Sequence, residues 1–192
     1  ANGTGKNVSI TATSGDITVN EVKASGDTVT LAVNSGSIFD DGSNAATSII
    51  TANNVTLTAA NAIGASGNEV DTDASSLDLS SASAGSIFVT EKDGVTLTDV
   101  DTVNGSVTIQ SAGATTATDV QAQGAGQDVT LTTTSGDMTV ALVSAADDVT
   151  LNTPAGSVLD DGATTAFSGD LVTITAQNGI GVATGLYVSG NG

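Results

Sequence analysis

At 192 residues the chain is long enough for one full-sized domain, and 39% hydrophobic residues with a mean hydropathy of +0.18 exclude a chain disordered by composition. Only 12% of residues are charged, and 21 acids against three bases, Lys6, Lys23 and Lys92, leave a net charge of −18 that repels nucleic acid phosphates and anionic lipid heads. No apolar run reaches about 18 residues, which excludes a membrane-spanning helix, and the absence of cysteine leaves the redox compartment open.

The first readable segment, "VSITATSGDITV" at 8 to 19, alternates apolar with small polar residues, which predicts a strand with one buried face. Its apolar-polar-apolar core recurs at Val29-Thr30-Leu31, Val55-Thr56-Leu57, Leu77-Asp78-Leu79, Val107-Thr108-Ile109, Val129-Thr130-Leu131, Val149-Thr150-Leu151 and Val172-Thr173-Ile174. Successive starts lie 21, 26, 22, 30, 22, 20 and 23 residues apart. About nine residues into most of these intervals comes a second strand, announced by glycine at Gly15, Gly36, Gly85, Gly136 and Gly156, where the positive φ open to glycine suits a sharp corner. A third apolar step follows at Val22, at Val95 and Leu97, and at Leu142.

No stripe of apolar residues at i, i+3, i+4 and i+7 competes with this rhythm, because Thr, Val, Ile and Gly dominate the chain. A β-sandwich also has short strands at close intervals, but it does not repeat one circuit of strand, corner and strand eight times. The pattern predicts an all-β chain folded as a parallel β-helix, or β-solenoid, of about eight coils of roughly 20 to 30 residues. Right-handed winding follows from the general rule for parallel crossovers. The interval from 77 to 106 is longer than its neighbours and calls for an excursion loop or an extra strand.

A longer period overlies the short one. "VTLTTTSGDMTV" at 129 to 140 repeats 8 to 19 at an offset of 121, "AGSVLDDG" at 155 to 162 repeats "SGSIFDDG" at 35 to 42 at 120, and "VTITAQNGIG" at 172 to 181 repeats "VTLTAANAIG" at 55 to 64 at 117. The chain therefore reads as a single solenoid segment over 1–192, with a long repeat at 5–125 and a partial copy at 126–192, a slice of a longer array. The start at Ala1, without Met or leader, fits a processed or excised piece. Repetition is expected if each coil sets the same strand in the same place.

The chemistry available is narrow. Without Arg, His or Cys the chain lacks the commonest general base, the guanidinium clamp and the activated thiol, so it reads as no enzyme. Three carboxylate pairs remain: Asp40 with Asp41, Asp160 with Asp161, and Asp71 with Asp73. Adjacent residues on a strand face opposite ways, so the first two pairs, each followed by glycine, read as turns. Calcium is the cofactor they would take, through Asp40, Asp41, Asp160 and Asp161, since it collects oxygen ligands, although neither the calcium nonapeptide nor the EF-hand pattern is present. Phe39, Phe88, Phe167 and Tyr187 are expected where a coil widens or a loop folds over the wall.

The tetrads, the glycine-led second strands and above all "AGSIFVTEKDGVTLTDVDTVNGSVTI" at 84 to 109 resemble the repeat regions of giant secreted bacterial β-helical proteins of the filamentous-haemagglutinin-like kind. The resemblance covers nearly the whole chain and implies an exported protein of the bacterial cell surface or extracellular (biofilm) matrix, a long rod that carries adhesion. Partners expected on this reading are further copies or adjacent repeats joined end to end into filaments, and a host or neighbour-cell surface or glycan. Nucleic acid and membrane insertion are not expected. The alternative is a carbohydrate- or calcium-binding β-helical module, because rows of Thr, Asn and Asp suit an extended glycan.

Overall fold

The computed structural model describes residues 5–42, 49–163, 166–181 and 188–190. The described chain is all-β, a parallel β-solenoid of about seven turns. No helix in it is long and apolar enough to cross a membrane.

Each turn contributes a strand to three ladders. Ladder A begins with Val8–Ala12 and continues through 29–33, 55–59, 77–81 and 97–102. It then climbs through Val120–Ala122, Leu142–Ala145, Ala166–Gly169 and Val188–Gly190. Ladder B stacks Ile17–Val19 and Ile38–Asp40, passes through single bridges at Ile63 and resumes at Ile87–Glu91. Val107–Ser111, Val129–Thr133, Val149–Thr153 and Val172–Ala176 complete it. Ladder C runs through 21–24, 49–52 and 72–74 below, and through 95–97, Thr115–Ala117, Met138–Val140, Ser157–Asp160 and Gly179–Ile180 above.

The period-two pattern sets what faces inward. Val29, Leu31, Val55, Leu57, Leu77, Leu79, Val129 and Leu131 are all at most 1% exposed, and the Thr or Asp between them face out. Stacking at roughly 4.8 Å joins these aliphatic groups into continuous columns. At the last inward position of many rungs the column turns polar. Ser81 donates to the Asn61 carbonyl (2.6 Å), Thr102 to that of Gly105, and Thr133 to the Thr115 hydroxyl (2.6 Å), so hydroxyls serve backbone and side-chain oxygens that the corners turn inward. No buried side-chain polar atom among the described residues lacks a partner.

Two expectations change. Gly15 and Gly136 do have φ of 78° and 92°, but Gly36, Gly85 and Gly156 do not adopt positive φ. They are glycine because of close stacking: a Cβ on Gly156 would lie 1.8 Å from the Gly136 carbonyl oxygen, and one on Gly36 2.3 Å from that of Gly15. The third step likewise falls on Val143, fully buried, while Leu142 lies half-buried on the outer side of its strand.

The second correction concerns the long repeat, whose two copies do not share a ladder. Val8, Val29 and Val55 lie in ladder A, and their repeats Val129, Val149 and Val172 lie in ladder B. Ile17 and Ile38 lie in ladder B, and their repeats Met138 and Val158 in ladder C. From Ile17 ladder B reaches Val129 in five steps, so the 121 residues from Val8 to Val129 span five turns plus one side. The 30-residue interval is where the change occurs: Leu77 to Leu97 is an ordinary turn of 20 residues, and the remaining ten carry the tetrad to the next side. The extra strand expected there is the ladder A stretch at 97–102, paired back onto 77–81, whereas Ile87–Glu91 is the regular ladder B strand of its turn, paired with Val107–Ser111 on one edge and at 89–91 with 70–72 on the other.

The large residues divide. Phe167 is fully buried in ladder A, Phe39 and Phe88 lie half-buried on the outer face of ladder B, and Tyr187 lies outside the described residues.

Candidate functional site

The two Asp-Asp-Gly corners have one local design in two places. Asp40 ends a ladder B strand and is 4% exposed, and its Oδ1 accepts the Gly42 amide (2.9 Å), with Gly42 at φ 85°. Asp160 ends a ladder C strand at 8% exposure, its Oδ2 accepts the Gly162 amide (3.2 Å), and Asp161 Oδ1 accepts that of Ala163 (3.0 Å). The Asn20 side-chain amide donates to Asp41 Oδ2. These are Asx turns, in which a carboxylate closes its own corner and glycine supplies the left-handed step. Because the copies lie five turns apart along the stack as well as on different ladders, Asp40, Asp41, Asp160 and Asp161 are not brought together and do not form one donor set.

Asp71 and Asp73, two apart on one strand, both face outward. Burial, then the charges of Asp40 and Glu69, raise the Asp71 carboxyl above the usual range. Asp73 takes part in a group absent from the sequence reading: its carboxylate and those of Glu91 and Asp93 lie within 4.8 Å of one another. Lys92 Nζ stands 2.6 Å from Asp73 Oδ2, so a cation of the chain itself already neutralises this edge.

Glu91 is the chemically distinctive residue. It is fully buried where 70–72 ends its pairing with the next turn, and its carboxylate accepts from Thr72 Oγ1 (2.6 Å), from the Ala74 amide (3.2 Å to each oxygen) and from the Asp93 amide (3.3 Å). It thus caps the Ala74 amide of the strand and the Asp93 amide of the following corner, just past the point where the pairing of 70–72 ends. Burial holds its pKa above the ordinary 4.5, against the pull of these three donors. The signal was in the sequence: Ile87, Val89 and Glu91 are successive inward positions, so the period that predicts the strand also puts this carboxylate in the core.

A second acidic group, Asp128, Asp147 and Asp148, lines the corner before ladder B. Asp128 Oδ1 accepts the Asp148 amide (3.0 Å), and burial followed by Asp148, Asp128 and Asp170 raises the Asp147 carboxyl. Outward on ladder B runs a hydroxyl row, Thr108, Thr130, Thr150 and Thr173, paired position to position with Phe88 beneath Thr108.

An aliphatic core, hydroxyl-lined corners and carboxylates spent on turns and strand caps define a β-solenoid repeat protein. No protein-family model, curated protein or solved structure matches the chain.

Proposed function

We propose that the chain is a non-catalytic structural and adhesive rod of a bacterial cell surface or extracellular matrix. One observation carries this reading: the described residues form a parallel stack from Val8 to Val188, with its buried side-chain polar atoms satisfied internally. Such a stack keeps its cross-section as turns are added, so its length grows with the number of repeats and each turn leans only on its neighbours. The resemblance to filamentous-haemagglutinin-like repeats supports the adhesive and extracellular part. Beads coated with the chain test that part: saturable binding to bacterial or host cells at physiological salt is expected, and failure to bind beyond an uncoated control would reduce the role to a spacer.

The hydroxyl row of ladder B, with Phe88 at its foot, favours a second reading, a module that lays an extended glycan along that wall or takes up calcium at its acidic corners. A glycan array and calorimetry with calcium against chelator separate the two. A module of this kind gives a reproducible glycan hit or a melting temperature raised by calcium; a blank array with identical melting curves leaves the rod alone.

A further inference from the structure

We propose that the outer face of ladder B from Phe88 to Thr150 binds an uncharged, extended β-1,4-linked polysaccharide, one sugar to a turn, with Phe88 packed against the sugar at its foot. The inference rests on the glycan reading of this wall and adds the ligand class and the residues that hold it.

The site lies on the side of the rod, where each of these rungs has another turn of the chain above and below it. Val107–Ser111, Val129–Thr133 and Val149–Thr153 are five-residue strands, so each turns two side chains outward: Thr108 and Gln110, Thr130 and Thr132, Thr150 and Asn152. They make two columns about 6.6 Å apart along the strand, with about 4.8 Å from rung to rung. Ladder C has one outward column at this height, Thr116 and Thr139, and ladder A is interrupted lower down by Asp78, Asp99 and Asp101.

The hydrogen-bonding capacity of this face is unspent. Among the described residues these six side chains have no partner in the protein, whereas inward hydroxyls such as Ser81 and Thr133, and amides such as Asn20, Asn68 and Gln121, are engaged. Hydroxyls and primary amides both donate and accept. An anion calls for donors and a cation for acceptors, but a sugar hydroxyl does both, so the mixed columns suit a sugar. No charged residue faces outward from these three strands, although the chain holds 21 acids. The acids stand at the borders instead: Asp71 under Thr90 at the foot of the second column, and Asp128, Asp147 and Asp148 along the corner that leads in. They repel a uronate or sulfated chain, which leaves an uncharged one.

Spacing selects among uncharged polymers. A peptide strand advances about 6.6 Å for each pair of residues and falls out of step with rungs about 4.8 Å apart. A β-1,4-linked pyranose chain is a straight ribbon that advances by nearly one rung per sugar, so successive sugars meet successive side-chain pairs. The foot is set by the excursion at 64–69. Ile63 pairs with Ile87 and Val70 with Val89, so these six residues stand out opposite the single residue Phe88. Ala65 and Asn68 close the excursion by exchanging two amide-to-carbonyl bonds of 3.0 Å, and the Asn68 side-chain amide donates to the Asp40 carbonyl (3.3 Å) on the rung below. The loop thus leans away from Phe88, which stays half-buried beneath Thr108 and gives the C–H face of a sugar an aromatic surface.

Calorimetric titration of the chain with cellohexaose, chitohexaose and xylohexaose tests the proposal. Saturable binding of at least one is expected, with none of maltohexaose, whose α-links coil it, and none of the anionic hexagalacturonate. The two-sugar form of the ligand, spanning two rungs rather than four, should bind about ten-fold more weakly or worse. Phe88→Ala should weaken binding about five-fold, the worth of one aromatic packing contact. Thr130→Glu should weaken it about ten-fold or more, and Thr30→Glu, on ladder A, should leave it unchanged, with melting curves showing all three variants folded. Failure of all three neutral β-1,4 sugars to bind overturns the proposal. Binding that prefers the galacturonate, or that neither Phe88→Ala nor Thr130→Glu weakens, overturns this ligand or this wall and leaves a glycan-binding module standing; a blank for every sugar removes the glycan module as well. Dimers that Thr130→Glu disperses would seat a second copy on the wall and overturn it too.

Discussion

At single residues the solenoid separates two uses of glycine that a sequence records with one letter. Gly162 has φ of 88° and open space where a Cβ would go, so Gly162→Ala meets only left-handed strain, about 1 kcal/mol. Gly156 has an ordinary backbone, but its Cβ would sit 1.8 Å from the Gly136 carbonyl oxygen, and the rungs must part. Gly156→Ala is therefore expected to cost about 2 to 3 kcal/mol, and urea midpoints of the two variants should fall in that order. Glu91 offers a parallel contrast. Glu91→Gln keeps an oxygen for Thr72 and Ala74 and removes a buried charge, so at pH 7 its stability should equal or exceed that of the parent chain. Glu91→Ala leaves the Ala74 amide buried without an acceptor, leaves the Thr72 hydroxyl only the Thr90 carbonyl at 3.3 Å, and opens space, and should cost about 3 kcal/mol by the same titration.

At the level of strands, what was legible in the sequence was everything that period two controls: the strand class, the inward Val, Ile and Leu, and the corners. What could not be read was the ladder each strand joins, because alternation fixes which way Val129 points within its strand but not which of three sides of the rod that strand occupies. The 30-residue interval was the trace of the change, visible as a number without a geometry. The Asp-Asp-Gly pairs were legible as turns for the same reason that they were illegible as a pair of sites: turn preference is local, and the separation of Asp40 from Asp160 by five turns and one side is not. The stacking rule itself yields a test. Val129 to Val149 is one turn of 20 residues, and deleting 129–148 would set Val149-Thr150-Leu151 directly on Val107-Thr108-Ile109 in the existing register. The shortened chain should keep its β circular dichroism and a cooperative melt, with a modestly lower melting temperature, because turns contribute nearly additively. Deleting only 129–139 would put a strand on the wrong ladder and should abolish the cooperative transition.

Over the whole molecule, the net charge of −18 is carried by carboxylates that the stack brings closer together than an unfolded chain would. Asp78 is raised above 3.8 by burial and then by Asp99; Asp101 by burial, then Asp99, with Asp78 and Asp119 adding, against the Ser80 hydroxyl. Asp40 is raised by burial, against its bond from Gly42, and by Asp41, and Asp71, Asp147 and Glu91 are raised as well. A carboxyl with a higher pKa in the folded than in the unfolded chain binds more protons when folded, throughout the window between the two values. Stability in that window rises as pH falls, and the gain is complete once pH reaches the ordinary values of 3.8 for Asp and 4.5 for Glu. The sign is opposite to that of a protein held together by ionised carboxylates, which weakens on acidification. The melting temperature of this chain should climb as pH falls through the raised values of these carboxyls, level off near 3.8, and climb less steeply in added monovalent salt, which screens the Asp–Asp part of the repulsion and leaves the burial part in place. A melting temperature that falls over the same range would mean that the carboxylates work chiefly as acceptors, as Asp40 does for Gly42, rather than as repelling neighbours.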